Sequence, residues 1–218
     1  EISCSLVGSE MCIRDRAYNA QNQATAFTKD TKRIECVYDY LNRRVEKTVY
    51  DGDTLVSRKR FIYLGYLQVA ELDATNETET ASPILRKTYL WDPVESVATR
   101  ILAMSVFDEA GVYQEDLYYT HDLLKNTTAL FGIQGGRRAL YEYSPYGDII
   151  KMEGNAAEIN PFRFSSEYLD DDLGLVYYNY RYYNVVDGRW INRDPMAENA
   201  GFNLYCFVSN KLSIDYLG

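Results

Sequence analysis

Apolar and polar residues alternate along most of the chain in short runs that are separated by turn-forming residues. Residues 47–64 and 98–122 each carry β-branched and aromatic runs around a turn-like group, and residues 175–184 form such a run between two Gly-containing groups. Strand-type runs joined by Asp and Gly turns are typical of antiparallel hairpins. Helical periodicity is scarce, and only residues 17–28 and 195–210 could carry short helices. The pattern therefore predicts a mainly β chain.

The turns between these runs resemble one another. An aromatic residue ends a strand, Asp or Pro starts the turn, and Gly or Asn follows to take the left-handed position. The turns with this look are YDYLNRRV (38–45), YDGD (50–53), LWDP (90–93), FDEAG (107–111), YTHDLLKNTTAL (119–130) and YSPYGDII (143–150). One hairpin cannot bury its aromatic face alone, so a recurring turn indicates stacked repeats. An ordinary antiparallel sheet protein is the alternative at this point.

Composition supports the β assignment and disfavours binding to nucleic acid or anionic membranes. The chain has 21 Tyr against 8 Phe and 2 Trp, and tyrosine suits a half-buried pleated surface. A formal net charge of −9 gives no electrostatic footprint for nucleic acid or anionic membranes. We expect no cofactor, no metal and no nucleic-acid partner. Cys36 and Cys206 are far apart and form no CxxC motif, so neither a disulfide framework nor a redox site is indicated.

Residues 1–16 differ in character from the rest. Their longest apolar run is Leu6-Val7-Gly8, which is too short for a signal peptide or a membrane span. Cys4 and Cys12 have no His nearby, which disfavours a zinc site. The stretch from Leu6 to Arg16 resembles one translated frame of a sequencing-library adapter. We expect residues 1–16 not to belong to the native protein; a genuine disordered N-terminus is the alternative.

The repeated turns carry a more specific resemblance. YDYLNRRV resembles the YD repeat of the RHS and teneurin-type families. Residues 141–218 resemble the RHS repeat-associated core. The stretches that carry this resemblance are YEYSPYGDII (141–150), NPFRFSSEYLDDDLGLVYYNYRYYNVVDGRWINRDP (160–195), FNLYCFVSN (202–210) and DYLG (215–218). The resemblance implies a YD-repeat sheet over residues 17–140 and a core over residues 141–218. The sheet would be part of a hollow shell, with the core as a short, partly helical plug.

The same resemblance implies a function. Such shells often hold a variable C-terminal polypeptide, in many members a polymorphic toxin, and the core cuts its own chain as an aspartic protease. The family pair of carboxylates corresponds to Asp194 in NRDP and Asp215 in DYLG, with Arg189 and Arg193 as supporting cations. Two carboxylates that share a proton can serve as base and acid in peptide hydrolysis.

Each of these residues also has a plain structural explanation. Asp194 followed by Pro195 is a typical helix start, and Asp215 could be a simple turn residue. The sequence also departs from the family pattern, since Ser209-Asn210-Lys211 stands where Asn-Asn-Pro is usual, and Tyr216 replaces the usual Pro.

Other candidate sites are weaker. His121, the only histidine, lies at a repeat turn and is predicted to be a turn residue rather than half of a catalytic pair. Asp170-Asp171-Asp172 lacks the spacing of an EF-hand and is interpreted as a solvated turn. Residues 132–138 lack the Lys-Ser/Thr of a phosphate loop and are interpreted as a hairpin tip.

Two classes of function therefore stay open. The first is a secreted shell that encloses and releases a passenger, with the rest of its own shell and the passenger as partners. The second is a cell-surface or extracellular YD-repeat protein that binds carbohydrate or protein without catalysis. A free-standing enzyme is disfavoured, because the sequence shows no His, Cys or metal-ligand constellation.

Overall fold

Twelve strands pair side by side in chain order and form one antiparallel sheet. The computed structural model describes residues 15–78, 80–94, 100–195 and 203–207. Each strand pairs with its predecessor in the chain, so the sheet is a continuous meander. The strands are β1 Asp15–Tyr18, β2 Ala24–Lys29, β3 Lys32–Tyr38, β4 Arg44–Asp51, β5 Thr54–Leu64, β6 Leu67–Asp73, β7 Ile84–Trp91, β8 Ile101–Phe107, β9 Tyr113–His121, β10 Thr127–Gly132, β11 Arg137–Tyr143 and β12 Ile149–Glu153.

Four of the turns share one hydrogen-bonded geometry. A side-chain oxygen of the first residue accepts the backbone N–H groups two and four residues later, and the residue three positions later has a positive φ. The first residues are Asn19, Asp39, Asp108 and Asp122. The predicted turn chemistry is thus confirmed at Asn42 (φ 66°) and Gly111 (φ 78°), whereas Lys125 (φ 66°) takes this position in the Asp122 turn.

A second sheet of four short antiparallel strands covers the aromatic face of the first. Its strands are β13 Tyr168–Asp170, β14 Leu175–Tyr177, β15 Tyr182–Asn184 and β16 Arg189–Trp190. The rings of Phe27 and Tyr182 meet edge to face at 5.4 Å between centroids, and those of Phe61 and Tyr168 at 5.6 Å. The main apolar core therefore lies between the two sheets.

The predicted mainly β, antiparallel fold is confirmed, and residues 17–28, one of the two segments that could carry a short helix, are not helical. This segment forms β1 and β2, because Asn19 makes the same capped turn as Asp39. The only helical element among the described residues is a three-residue 3-10 turn, Phe164–Ser166. Most of the other such segment, residues 195–210, lies outside the described residues.

The predicted segment boundaries fall within strands. The boundary between residues 140 and 141 lies inside β11, and β12 continues the large sheet beyond it. Residues 1–14 lie outside the described residues, while Asp15 and Arg16 are exposed and begin the outermost strand β1. The division of the chain and the foreign origin of residues 1–16 stay predictions. Among the described residues, no helix has the length and apolar character needed to cross a membrane.

Candidate functional site

Asp194 lies after β16, in a segment without regular secondary structure, beside a buried arginine. Its Oδ2 atom is 2.8 Å from Nη1 of Arg181, whose side chain is 4% exposed. The guanidinium of Arg181 stacks over the ring of Trp190, 4.1 Å from the centroid. The backbone N–H of Asp194 donates to the carbonyl of Leu204. Both the main chain and the side chain of Asp194 are therefore held in place.

The other three predicted site residues have different surroundings. Arg189 in β16 is exposed, and its Nη2 atom is 3.6 Å from a carboxylate oxygen of Asp187. Arg193 is exposed, and its carbonyl accepts a hydrogen bond from Asn22. Asp215 lies outside the described residues. The catalytic assignment of these residues stays a prediction, and Arg181 is the cation that the sequence argument did not assign to Asp194.

A buried ionic cluster joins the two sheets at Asp170. The carboxylate of Asp170 in β13 is 2.5 Å from Nη1 of Arg44 and 2.7 Å from Nζ of Lys47, both in β4. All three side chains are at most 2% exposed. Lys47 also pairs with Asp172 at 2.9 Å, and Lys32 pairs with Asp172 at 2.8 Å. The interpretation of residues 170–172 as a solvated turn is therefore wrong for Asp170.

The charges of this cluster stabilise one another. Burial alone would raise the pKa of Asp170, but Lys47 and Arg44 outweigh it and hold the pKa well below its usual range. The Arg44 guanidinium also lies 4.6 Å from the ring centroid of Tyr177 and 5.0 Å from that of Phe61. The aromatic walls replace part of the hydration that the cation loses on burial.

A second buried carboxylate, Glu71 in β6, lies on the same covered face. Its Oε1 atom is 3.0 Å from Nζ of Lys59, and its Oε2 atom accepts a hydrogen bond from the Tyr168 hydroxyl at 3.1 Å. Burial opposes ionisation of Glu71, but Lys87 and Lys59 outweigh it and lower the pKa to about 2. Tyr168 is in β13, so this contact also fastens the second sheet to the first.

His121 is the last residue of strand β9, directly before the turn in which it was predicted to lie. Its ring stacks on Tyr119 with centroids 6.1 Å apart, and Asp122 starts the following turn. Burial, assisted by the positive charge of Arg100, lowers the pKa of His121 to about 4. The imidazole is therefore neutral at neutral pH and behaves as an aromatic ring of the repeat. Within the described ranges, no three His, Cys, Asp or Glu side chains cluster as a metal site would require.

The sequence did contain a signal for the buried cluster. In RVEKTVYD (β4), Arg44, Lys47, Thr48 and Val49 are buried. Alternation with Val49 turns Lys47 toward the covered face, whereas Arg44, three residues earlier, reaches the same face through the register shift in the pairing of β3 with β4. A cation at an inward position requires a buried partner. The partner itself could not be read from the pattern, because Asp170 lies more than a hundred residues later.

Comparisons with known proteins agree with this fold. No protein-family model matches the chain. The chain is 28% identical over 208 residues to double-stranded DNA deaminase toxin A of Burkholderia cenocepacia (strain H111), a match that covers 88% of this chain and 14% of that protein. It is 33% identical over 196 residues to salivary gland surface protein 1 of Aedes aegypti, covering 85% of this chain and 5% of that protein.

A solved structure extends the agreement to three dimensions. The crystal structure of TcdB2-TccC3-Cdc42 matches this chain with a TM-score of 0.72 and 22% identity, over 94% of this chain and 10% of that chain. The described residues therefore share the fold of the matching part of that structure, and a toxin is among the proteins that are similar in sequence. The chain spans only a small part of each of these relatives.

Proposed function

We propose that this chain forms the closing part of an RHS-type shell that encloses a toxin-like polypeptide passenger in a secreted protein. The observation that carries the proposal is the ionic fastening of the second sheet through Asp170. Separating a buried ion pair is strongly unfavourable, so a sheet held in this way is suited to closing a shell. The similarity to a toxin of Burkholderia cenocepacia supports the passenger class.

The core would also release the passenger by hydrolysing the peptide bond after Gly218. In this reaction one carboxylate of the pair Asp194 and Asp215 takes a proton from water, which adds to the Gly218 carbonyl carbon. The other carboxyl group gives a proton to the leaving amine. Arg181 would hold Asp194 in position, since the two side chains are 2.8 Å apart.

The test uses the protein with its upstream shell restored and a reporter domain placed after Gly218. An enclosed reporter should resist an added protease, and a denaturing gel should show it separated from the shell chain. Asp194→Asn and Asp215→Asn should each abolish separation and keep the protection. If the reporter is digested as fast as the free domain, the shell does not enclose it. If the reporter stays attached in the parent protein, the core closes the shell but does not cleave the chain.

A second function, binding at a cell surface without catalysis, is favoured by one observation. The salivary gland surface protein matches over 85% of this chain at 33% identity. In that case the reporter should be neither protected nor released, and the protein should bind a glycan array or intact cells. The reporter experiment therefore separates the two functions.

A further inference from the structure

A cavity of about 360 Å³ lies where β5, β6, β7 and β8 meet the segment after β12. We call it the Lys87 cavity. Its lining contains three cations and two carboxylates, together with two hydroxyl groups and a smaller number of apolar side chains. The charged and hydroxyl residues are Lys59, Arg86, Lys87, Glu71, Asp73, Ser57 and Thr75.

Both oxygens of the buried carboxylate in this cavity are already engaged. Glu71 Oε1 is 3.0 Å from Lys59 Nζ, and Glu71 Oε2 accepts a hydrogen bond from Tyr168. Lys87 Nζ lies 3.7 Å from Glu71 Oε1, beyond normal hydrogen-bond distance. The Lys87 side chain is 15% exposed, so its ammonium group is mostly removed from water. The hydrogen bond from a lysine to Glu71 comes from Lys59 and not from Lys87.

The remaining charges near Lys87 balance one another. Asp171 and Arg163 also act on Lys87, but they pair with each other at 3.3 Å. Asp73 and Arg86 carry opposite charges on the cavity lining. The cavity lining itself carries three cations and two carboxylates, which leaves one positive charge in excess there. Burial lowers the pKa of Lys87 although Glu71 opposes this shift, as expected for an incompletely compensated cation.

We propose that the Lys87 cavity binds a small oxyanion of the phosphate class. An oxyanion offers several acceptor oxygens, and the cavity supplies the matching donors: the ammonium of Lys87, the guanidinium of Arg86 and the hydroxyls of Ser57 and Thr75. The added negative charge would neutralise the excess positive charge in a partly desolvated site. This binding is independent of enclosure and of self-cleavage.

The experiment titrates the whole chain with inorganic phosphate by calorimetry, with sulfate and sodium chloride at matched ionic strength as parallel arms. Phosphate should bind the parent, and Lys87→Met should weaken binding by at least roughly tenfold. Lys87→Arg should retain binding, because it keeps the charge. Lys151→Met, on the exposed strand β12, should bind like the parent. Equal heats from phosphate and chloride in the parent, or equal affinity of Lys87→Met and Lys151→Met, would overturn the proposal.

A second measurement uses the parent chain alone and does not depend on the folding of any variant. Lysines are labelled briefly with acetic anhydride and quantified by mass spectrometry, with and without phosphate. Phosphate should protect Lys87 more than it protects Lys151. Equal protection of both lysines would show that no oxyanion site exists at Lys87.

Discussion

Replacement of Asp170 by asparagine tests whether the buried ionic cluster fastens the two sheets. The variant keeps the size of the side chain and removes its charge. Arg44 then loses its carboxylate partner at 2.5 Å, whereas Lys47 keeps Asp172 at 2.9 Å. The change therefore leaves the buried guanidinium of Arg44 without this counter-charge, whereas Lys47 loses one of its two carboxylate partners and keeps the other.

The expected loss follows from the burial of these groups. Asp170 is 0% exposed and Arg44 is 1% exposed, so water cannot replace the missing partner. Removal of one member of a buried ion pair costs about 3–5 kcal/mol. In a protein of this size that loss lowers the midpoint of thermal unfolding by roughly 6–20 °C.

The assay is urea unfolding followed by tryptophan fluorescence, since Trp190 is buried in the second sheet. Asp171→Asn is the matched control, because Asp171 is 63% exposed and pairs with Arg163 at 3.3 Å. Arg163 is buried, but it also donates to the carbonyls of Asn160, Ala157 and Glu158, so loss of its pairing with the exposed carboxylate should cost only about 1 kcal/mol. Asp171→Asn should therefore unfold close to the parent.

The pH dependence gives a second readout. The folded-state pKa of Asp170 lies below its unfolded value of about 3.9, so its contribution is present above this pH and is lost as the pH falls further. The difference between parent and Asp170→Asn should be full at neutral pH and should shrink in acid. If Asp170→Asn unfolds within about 1 kcal/mol of Asp171→Asn at neutral pH, the cluster does not fasten the sheets.

Two further changes test the repeat and its turns. The His121 pKa of about 4 lies below its unfolded value of about 6.5, so the parent loses stability as the pH falls through this window. As the pH falls from neutral to about 5, the free energy of unfolding of His121→Phe should rise by about 1–2 kcal/mol relative to that of the parent. If both proteins lose stability equally over this range, the pKa of His121 is not lowered. Gly154→Ala should destabilise by about 2 kcal/mol or more, because its φ is +105° and a Cβ would lie 2.1 Å from the Arg138 carbonyl. Gly135→Ala, with φ +80° and no atom within 4 Å of the added Cβ, should lose less in the same urea assay, and an equal loss would show that φ alone matters.

The sequence by itself determined the local structure of the repeat. Asp39 and Asp108 could be recognised as turn starts because the Asp side chain caps nearby backbone N–H groups and the residue three positions later accepts a positive φ. These are interactions within five consecutive residues, so the sequence contains all the partners. The Asn19 turn has the same signal with Asn in place of Asp, so residues 17–28 form a hairpin and not the short helix that their pattern also allowed.

Tertiary structure alone decided which charged groups meet. Alternation along β4 turns Lys47 toward the covered face, and the register shift beside Arg44 brings that residue there too, but only the packing of the second sheet brings Asp170 to them. In the same way, Asp194 pairs with Arg181, thirteen residues earlier, whereas Arg189 lies near Asp187. The period of a strand fixes which face a side chain occupies. Its contacts across that face depend on the placement of residues that are distant along the chain, and no local pattern records that placement.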